Sequence, residues 1–405
     1  MSQQKRILVG QSGGPTCAIN ASLAGVIAGA GEKNVRPVGM RFGIQGFLDG
    51  RTVDLAEAVP NEDALRLLRD TPASWLGSCR FKLPDPEADP EFFARALERV
   101  EAEGVSAVLY IGGNDSMDTI AKLARYGARE GSDVRFVGVP KTIDNDLVQI
   151  DHTPGYGSAA RLVATAVSEV ARDADVYDLK SVTFVEIMGR DAGWLAGSAC
   201  LAHPDLVLLP EVPIEADALI ARIEALLAEK NTVVVATSEG VRTPDGRLVA
   251  EGTVAPGTGT DEFGHLAQLS GASRYLAALV KARLGCKTRA VELSTLQRCG
   301  SHCASKTDLD EAFELGRMGV REALEGATGI MCSLERTQDD PYAVRYRTVD
   351  VSEVANQVKP VPSAWIAPDG MGVTAEFERY VRPLVGPAEP IALDGGLPRQ
   401  MTPLA

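Results

Sequence analysis

Short apolar runs alternate with longer amphipathic stretches along most of the 405-residue chain. The runs are rich in Val, Ile and Leu and have the length of buried strands, whereas the longer stretches repeat apolar residues at helical spacing. The runs predict strands at 5–10, 107–111, 134–139, 181–187, 232–237 and 288–293. The stretches predict helices at 18–30, 90–104, 158–174, 216–229, 272–284 and 308–325. Strands that alternate with helices in this way predict an α/β fold with largely parallel sheets.

Polar residues and glycines follow two of the predicted strands. The strand at 134–139 leads into Pro-Lys-Thr-Ile-Asp-Asn-Asp at 140–146, and the strand at 107–111 leads into Gly-Gly-Asn-Asp-Ser at 112–116. Ligands of open α/β sheets bind beyond the carboxyl ends of the strands. Glycine turns bring backbone N–H groups close to an anion, and the helix that follows directs its positive end toward it. Carboxylates beside such a phosphate site suit Mg²⁺, so we predict a cleft that binds both.

An alternative interpretation is purely structural, because Asp and Asn after a strand also serve as turn formers and helix N-caps. Other strand ends nevertheless carry similar residues. Glycine turns with polar or charged residues occur at 11–16, 76–82, 188–194, 238–240 and 297–300. The coincidence of several such strand ends favours a ligand-binding cleft over a set of unrelated caps.

Composition and charge exclude several classes of protein. Hydrophobic residues make up 45% of the chain and charged residues 24%, as in ordinary soluble globular proteins. The net charge of −14 argues against a nucleic-acid partner. No apolar run approaches the ~18 residues of a membrane span, and the N-terminus lacks a signal-peptide layout. We therefore expect a cytoplasmic protein that binds no membrane. The closest metal-like cluster is Cys299, His302 and Cys303, and without a second ligand pair it indicates free thiols.

The motifs, taken in order, resemble the phosphofructokinase family from about residue 5 to about residue 325. The matching elements are Gly13-Gly14 with Asn20, Leu76-Gly77-Ser78 with Arg80, Gly112-Gly113, Thr142 to Asp146, Met188-Gly189-Arg190, Glu239 and Gln297-Arg298. Each piece alone is a weak signal, but their joint order and spacing are specific.

The resemblance implies a particular architecture within the α/β class. We expect the phosphofructokinase fold, in which two Rossmann-like parallel-sheet lobes enclose the active site between them. The first lobe would bind the phosphoryl donor and span 1–150, joined by part of 272–325. The second lobe would bind fructose 6-phosphate and span 151–271. Residues 326–405 would form a C-terminal extension that packs over the core.

The resemblance also implies a reaction and roles for individual residues. The family phosphorylates the 1-hydroxyl of fructose 6-phosphate, a step of glycolysis and gluconeogenesis. Asp144 would be the general base, Thr142 would bind the transferred phosphoryl group, and Lys141 would add a cation beside the donor. The sugar-phosphate site would comprise Met188, Gly189, Arg190, Glu239, Arg289 and Arg298. The donor site would comprise Gly13, Gly14, Arg80, Gly113, Asn114, Asp115 and Ser116. Mg²⁺ would be held by Asp115 and Asp146.

Two positions bear on the identity of the phosphoryl donor. ATP-dependent bacterial members have Gly at the positions of Asp115 and Lys141, so this pair resembles the pyrophosphate-dependent members. A side chain at 115 would crowd a nucleotide, and a Lys at 141 would add charge for a short, highly charged donor. The opposing interpretation is that Lys141 points to solvent and Asp115 merely caps a helix. An ATP-dependent 6-phosphofructokinase and a non-catalytic regulatory subunit of the same fold remain as alternatives.

Several positions depart from the family pattern. Asn114 stands where most members have Asp, which removes a charge and leaves the Mg²⁺ ligation open. Ser181 stands where ATP-dependent bacterial members place an Arg that reaches the neighbouring subunit. Arg289 also crosses a subunit interface in the family, so we expect a homodimer or homotetramer. Ala24 and Ala28 replace effector-binding arginines, so a nucleotide effector site of that type is not expected.

Overall fold

The computed structural model describes residues 5–79, 81–253 and 271–404, and within them two β-sheets carry most of the short apolar runs. The strands are β1 (Arg6–Gln11), β2 (Arg36–Met40), β3 (Thr52–Asp54), β4 (Val105–Gly112), β5 (Arg135–Pro140), β6 (Ser181–Ile187), β7 (Leu206–Leu208), β8 (Thr232–Ser238), β9 (Lys287–Glu292), β10 (Ile330–Asp339), β11 (Tyr342–Asp350), β12 (Leu393–Asp394) and β13 (Leu397–Pro398). The helices are α1 (Ile19–Glu32), α2 (Gly43–Leu48), α3 (Leu55–Ala58), α4 (Glu62–Asp70), α5 (Pro90–Ala102), α6 (Asn114–Arg129), α7 (Tyr156–Ala174), α8 (Trp194–Gly197), α9 (Ala216–Glu229), α10 (Ala272–Leu284), α11 (Lys306–Leu324) and α12 (Ala375–Val385).

The first sheet has the strand order β11-β10-β5-β4-β1-β2-β3, and its central strands are parallel. The register pairs Gln11 with Ile111, and Gly112 with Pro140. The carboxyl ends of β1, β4 and β5 therefore lie side by side, which brings their following loops together at one edge of the sheet. We call this sheet and its helices the first lobe.

The second sheet has the order β7-β8-β6-β9 and is parallel throughout the described strands. Its register pairs Ile187 with Ser238 and Glu186 with Glu292. The loops that follow β6, β8 and β9 consequently leave from one edge of this sheet too. We call this sheet and its helices the second lobe. The α/β class with largely parallel sheets is confirmed.

Close packing of α1 against α11 in the first lobe depends on small residues. A Cβ atom on Gly25 would lie 1.9 Å from the Phe313 carbonyl oxygen, and one on Gly316 would lie 2.1 Å from the Ser22 carbonyl oxygen. Glycine at both positions lets the two backbones touch, which any larger residue would prevent. The hydroxyl of Ser305 accepts a hydrogen bond from the Asp308 N–H and caps the start of α11.

The C-terminal residues do more than cover the core. Strands β10 and β11 extend the first sheet, with β10 parallel to β5. Helix α12 packs instead into the second lobe, where Phe377 and Tyr380 contact Trp194. Strand β9 belongs to the second sheet, although we expected the second lobe to end at residue 271. The division of the chain into domains stays a prediction. No helix among the described residues is long and apolar enough to cross a bilayer.

Candidate active site

The loops at the carboxyl ends of β1, β4 and β5 meet the loops that follow β6 and β9 of the second lobe around a cleft of about 300 Å³. Its lining residues are Gly13, Gly14, Pro15, Thr16, Gly113, Asn114, Asp115, Ser116, Lys141, Thr142, Ile143, Asp144, Asp146, Met188 and Arg298. Most of the residues that the sequence analysis assigned to the donor and to catalysis therefore lie together. Pro15, Thr16 and Ile143 also line the cleft, although the sequence analysis assigned them no role within their motifs.

Lys141 is the buried cation of the cleft. Its residue is only 2% exposed, and its Nζ donates hydrogen bonds to the carbonyl oxygens of Ser12 (3.1 Å) and Gly14 (2.7 Å). Burial lowers the pKa of Lys141 to about 8, against the opposing charge of Asp144. The alternative that Lys141 points to solvent is wrong. Its ammonium instead binds the backbone of the glycine turn and places a positive charge beside the cleft.

Asp144 and Asp146 both face the cleft from the loop after β5. The Thr142 hydroxyl donates to Asp144 Oδ2 at 3.2 Å, and the Thr142 hydroxyl oxygen accepts from the Asp144 N–H at 3.2 Å. Burial raises the pKa of Asp144, and the hydrogen bond from Thr142 and the charge of Lys141 partly offset this. Burial and the Asp144 charge raise the pKa of Asp146 to about 7. Two closely spaced acids thus repel one another in a partly desolvated pocket.

Asn145 lies between these two acids and anchors their loop. Its backbone has a positive φ of 55°, a conformation that Asn tolerates better than most residues. Its Nδ2 donates to the Tyr380 hydroxyl (2.8 Å), and its Oδ1 accepts from the Thr153 N–H (2.9 Å). The side chain of Asn145 is buried away from solvent. This anchoring fixes the loop from which both neighbouring carboxylates reach the cleft.

The turn between β4 and α6 forms the opposite wall. A Cβ on Gly112 would lie 1.9 Å from Ser116 Oγ, so glycine is required there for the helix to start so close to the strand. Gly113 is the N-cap residue, and no side chain caps the helix. Asn114, Asp115 and Ser116 all line the cleft from the first turn of α6. The helix N-terminus therefore faces the cleft, where it attracts an anion.

The second lobe contributes Met188 and the groups behind it. The Met188 N–H donates to Gln297 Oε1 at 3.1 Å, and the Gly189 N–H donates to Glu239 Oε1 at 3.4 Å. Burial raises the pKa of Glu239 to about 7, with a further contribution from Asp144 and an opposing one from Arg190. Gly189, Arg190 and Glu239 therefore lie next to the cleft, although they are absent from its lining.

The predicted phosphate-binding arginines lie in different surroundings. Arg298 lines the cleft, and its Nη1 would be 3.3 Å from a Cβ on Gly14, so it reaches across to the glycine turn. Arg289 lies on β9, an edge strand, and forms an ion pair with Asp173. It is not among the described residues that line the cleft. Arg80 lies outside the described residues.

Comparison with known proteins identifies the family. A family model described as phosphofructokinase matches residues 6–318. The chain belongs to the phosphofructokinase family. It is 38% identical, over 98% of its length and 95% of the relative, to the pyrophosphate–fructose 6-phosphate 1-phosphotransferase of Xanthomonas campestris pv. campestris (strain B100). It is 36% identical, over the same shares of the two chains, to the protein of that name from Halomonas elongata.

A solved structure confirms the two-lobe phosphofructokinase fold. The pyrophosphate-dependent phosphofructokinase of Marinobacter aquaeolei superposes with a TM-score of 0.87 at 32% identity. The match covers 98% of this chain and 96% of that chain, so the C-terminal extension is included. The recognition of the family from the sequence is therefore confirmed along nearly the whole chain.

Proposed function

We propose that the chain is a pyrophosphate-dependent 6-phosphofructokinase. It would transfer a phosphoryl group from pyrophosphate to the 1-hydroxyl of fructose 6-phosphate, giving fructose 1,6-bisphosphate and phosphate, and would also run the reverse reaction. The single observation that carries the choice of donor is the buried Lys141 ammonium across the cleft from Asp115. The names of the relatives support the same choice.

The chemistry would divide between the two lobes. The Asp144 carboxylate accepts the proton of the sugar 1-hydroxyl as its oxygen bonds to the transferred phosphorus, and the bond from that phosphorus to the bridging oxygen breaks. Lys141 and the N-terminus of α6 offset the negative charge of the departing phosphate. Thr142 binds the transferred group. The raised pKa of Asp144 makes it a stronger base than an ordinary carboxylate once it is ionised.

The second lobe would bind the sugar phosphate. Glu239 has an oxygen directed at the Gly189 N–H and would accept hydrogen bonds from sugar hydroxyls. Arg190, Arg289 and Arg298 would bind the 6-phosphate, because a guanidinium can hold two phosphate oxygens at once. Since Arg289 lies on an edge strand outside the cleft lining, we propose that it serves a neighbouring subunit of a homodimer or homotetramer.

The residues of the cleft fit a divalent cation. Asp115 and Asp146 line the same space, and a cation would offset the burial and the repulsion from Asp144 that raise the pKa of Asp146. No group of three His, Cys, Asp or Glu among the described residues could hold a metal by itself. Phosphate oxygens of the donor would therefore complete the ligand set, as is common for Mg²⁺. We propose that Asp115 and Asp146 bind Mg²⁺, which would supply charge neutralisation to the phosphates. We also propose a cytoplasmic location.

One assay tests this proposal. The purified protein is given Mg²⁺ and fructose 6-phosphate with either pyrophosphate or ATP, and fructose 1,6-bisphosphate is measured. We expect kcat/KM to be much higher with pyrophosphate. Faster turnover with ATP would establish the ATP-dependent alternative. Absence of turnover with both donors, from a protein that is folded by circular dichroism, would favour the non-catalytic subunit.

A further inference from the structure

Residues 356–361 of the C-terminal extension, here called the strap, run along the edge of the cleft. Their first contacts are with α6. Asn114 Oδ1 accepts from the Asn356 N–H at 2.6 Å, and Asn114 Nδ2 donates to the Gln357 carbonyl oxygen. Asn356 Nδ2 also donates to Asp118 Oδ1 at 3.0 Å. The strap is therefore attached to the first two turns of the helix whose N-terminus faces the donor site.

The middle of the strap binds the loop after β5 that carries Asp144 and Asp146, here called the catalytic loop. The Lys359 N–H donates to the Asp146 carbonyl oxygen at 2.7 Å. Lys359 Nζ donates to the carbonyl oxygens of Ile150 (3.1 Å) and Asp151 (2.8 Å). One residue of the strap thus binds both ends of the segment 146–151.

The far end of the strap is attached to the second lobe. The Trp194 indole N–H donates to the Lys359 carbonyl oxygen at 2.8 Å. The Val361 N–H donates to Glu211 Oε1 at 2.9 Å, and the same oxygen accepts from the Gly193 N–H at 2.8 Å. Six residues span at most roughly 20 Å, so these contacts hold α6, the catalytic loop and the second lobe within a short distance of each other.

We propose that Asn114 is a positioning residue that docks the strap, and that the docked strap sets the separation between the α6 N-terminus and Asp146 across the donor site. This inference rests on the function proposed above. It gives a physical reason for an amide at a position where an acid was expected. An amide donates and accepts at once, as these two backbone partners require, whereas a carboxylate only accepts and would face the Gln357 carbonyl oxygen without a proton between them.

Breaking the docking of the strap should affect binding of the donor more than binding of the sugar. Both polar atoms of the Asn114 side chain are used by the strap, so this residue shapes the donor site without its amide binding the donor. Releasing the strap would let α6 and the 146–151 segment move independently, and both lie on the donor side of the cleft. We therefore expect the KM for pyrophosphate to rise when the docking is broken, with the KM for fructose 6-phosphate changed much less.

The test compares Asn114→Asp and Asn114→Ala with Gln357→Ala as the matched control. The control keeps both backbone groups that Asn114 binds, since the Gln357 side chain bonds only the Glu353 carbonyl oxygen among its described contacts. Amide hydrogen exchange of the peptide containing 354–361 is measured on the ligand-free protein. We expect exchange to be about tenfold faster in both Asn114 variants and unchanged in the control, since removing one partner of such bonds costs about that factor.

Kinetics of the same three variants complete the test. In Asn114→Asp the KM for pyrophosphate should rise at least fivefold while the KM for fructose 6-phosphate stays within about twofold, an effect of the size of one lost hydrogen bond. Unchanged exchange of 354–361 in Asn114→Asp would overturn the proposal. So would a higher kcat with tighter Mg²⁺ binding in that variant, because position 114 would then serve the metal. The exchange measurement needs no turnover, so it separates failure of this inference from failure of the proposed function.

Discussion

The proposed donor site and the proposed sugar-phosphate site hold their cations in different ways. On the donor side, Lys141 is buried and its ammonium is fixed by two carbonyl oxygens of the same chain. On the sugar side, Arg289 lies on an edge strand with its side chain 40% exposed, and its observed partner is the carboxylate of Asp173. The proposed donor pocket is therefore built by one chain, whereas the sugar-phosphate site that we propose would also need contacts from a neighbouring subunit.

This difference indicates which substitutions should change the preference for a phosphoryl donor and which should change the affinity for the sugar phosphate. Donor preference should respond to single substitutions in the loops after β1, β4 and β5, because every group there is positioned within the chain. Sugar-phosphate affinity should respond both to the residues of the second lobe and to the state of association. The following predictions test this contrast, and they begin with Asp144, the proposed general base, which would act between the donor and the sugar.

Replacing Asp144 should have the largest effect on activity. Asp144→Ser removes the proposed base, so kcat should fall by roughly 10²–10⁴-fold, the range for a general base. The melting temperature should not fall, because burial raises the pKa of Asp144 and its ionised form therefore opposes folding at neutral pH. Steady-state kinetics and thermal unfolding measure the two quantities. An unchanged kcat would remove Asp144 from the mechanism.

The next largest effect concerns the donor. The double variant Asp115→Gly with Lys141→Gly should lower kcat/KM for pyrophosphate by about 10–100-fold, the value of hydrogen bonds and contacts to one buried charge. The ratio of ATP to pyrophosphate activity should rise, since the cleft gains space and loses a carboxylate beside α6. Lys33→Ala, which removes an exposed lysine at the end of α1, is the control for the loss of a lysine away from the cleft. An unchanged donor ratio would mean that other residues decide the donor.

Arg289→Ala sharpens the contrast from the sugar side. If Arg289 binds the 6-phosphate, the KM for fructose 6-phosphate should rise about tenfold, with the KM for pyrophosphate unchanged. Arg283→Ala is the control, because it removes another exposed Arg–Asp ion pair of the same lobe, whose loss should cost at most about 1 kcal/mol of stability. Light scattering of both variants checks whether association changes. Equal KM values in the two variants would leave Arg289 with only a surface ion pair.

The sequence predicts the central strands and most of the longer helices of both lobes because their apolar periodicity reflects burial. Edge elements carry a weaker signal. Strand β2 contains Pro37 and Gly39, which are uncommon in strands. The hairpin β10–β11 contains many polar residues that face solvent. None of these three strands was predicted. Helix α12 lies in a Pro-rich tail and contains Pro383, although Phe377, Tyr380, Val381 and Leu384 have helical spacing that could have indicated it.

The residues of the candidate site likewise differ in whether the sequence could predict that they lie together. Residues at the ends of adjacent parallel strands converge for reasons of topology, so Gly13, Asp115 and Asp144 could be grouped from the sequence. The partners of Asn114 could not, because they lie 242 and 243 residues away in a segment without a motif. A departure from a family pattern signals that a residue has a different partner. Only the three-dimensional structure identifies that partner.

The smallest expected effect on activity comes from His152, which links the end of the loop after β5 to helix α11. Its Nε2 lies 2.6 Å from Glu311 Oε2 and its Nδ1 lies 2.8 Å from Asp151 Oδ1. Burial alone would lower the pKa of His152, but the two carboxylates outweigh it and raise the pKa to about 9. Tyr342 and Arg336 complete the surroundings through Glu311 and Asp151 respectively.

Because this pKa is raised on folding, the imidazolium stabilises the protein fully below about pH 6.5, and the contribution is lost as the pH rises through about 9. His152→Gln removes the titrating group, so the free energy of unfolding of the wild type should exceed that of the variant most at pH 6. The difference should shrink by up to about 3 kcal/mol between pH 6 and pH 10. Urea unfolding at these pH values measures it, and a constant difference would show that His152 is neutral throughout. Turnover at pH 7 should change little, since His152 and its partners are absent from the cleft lining and would contact neither proposed substrate.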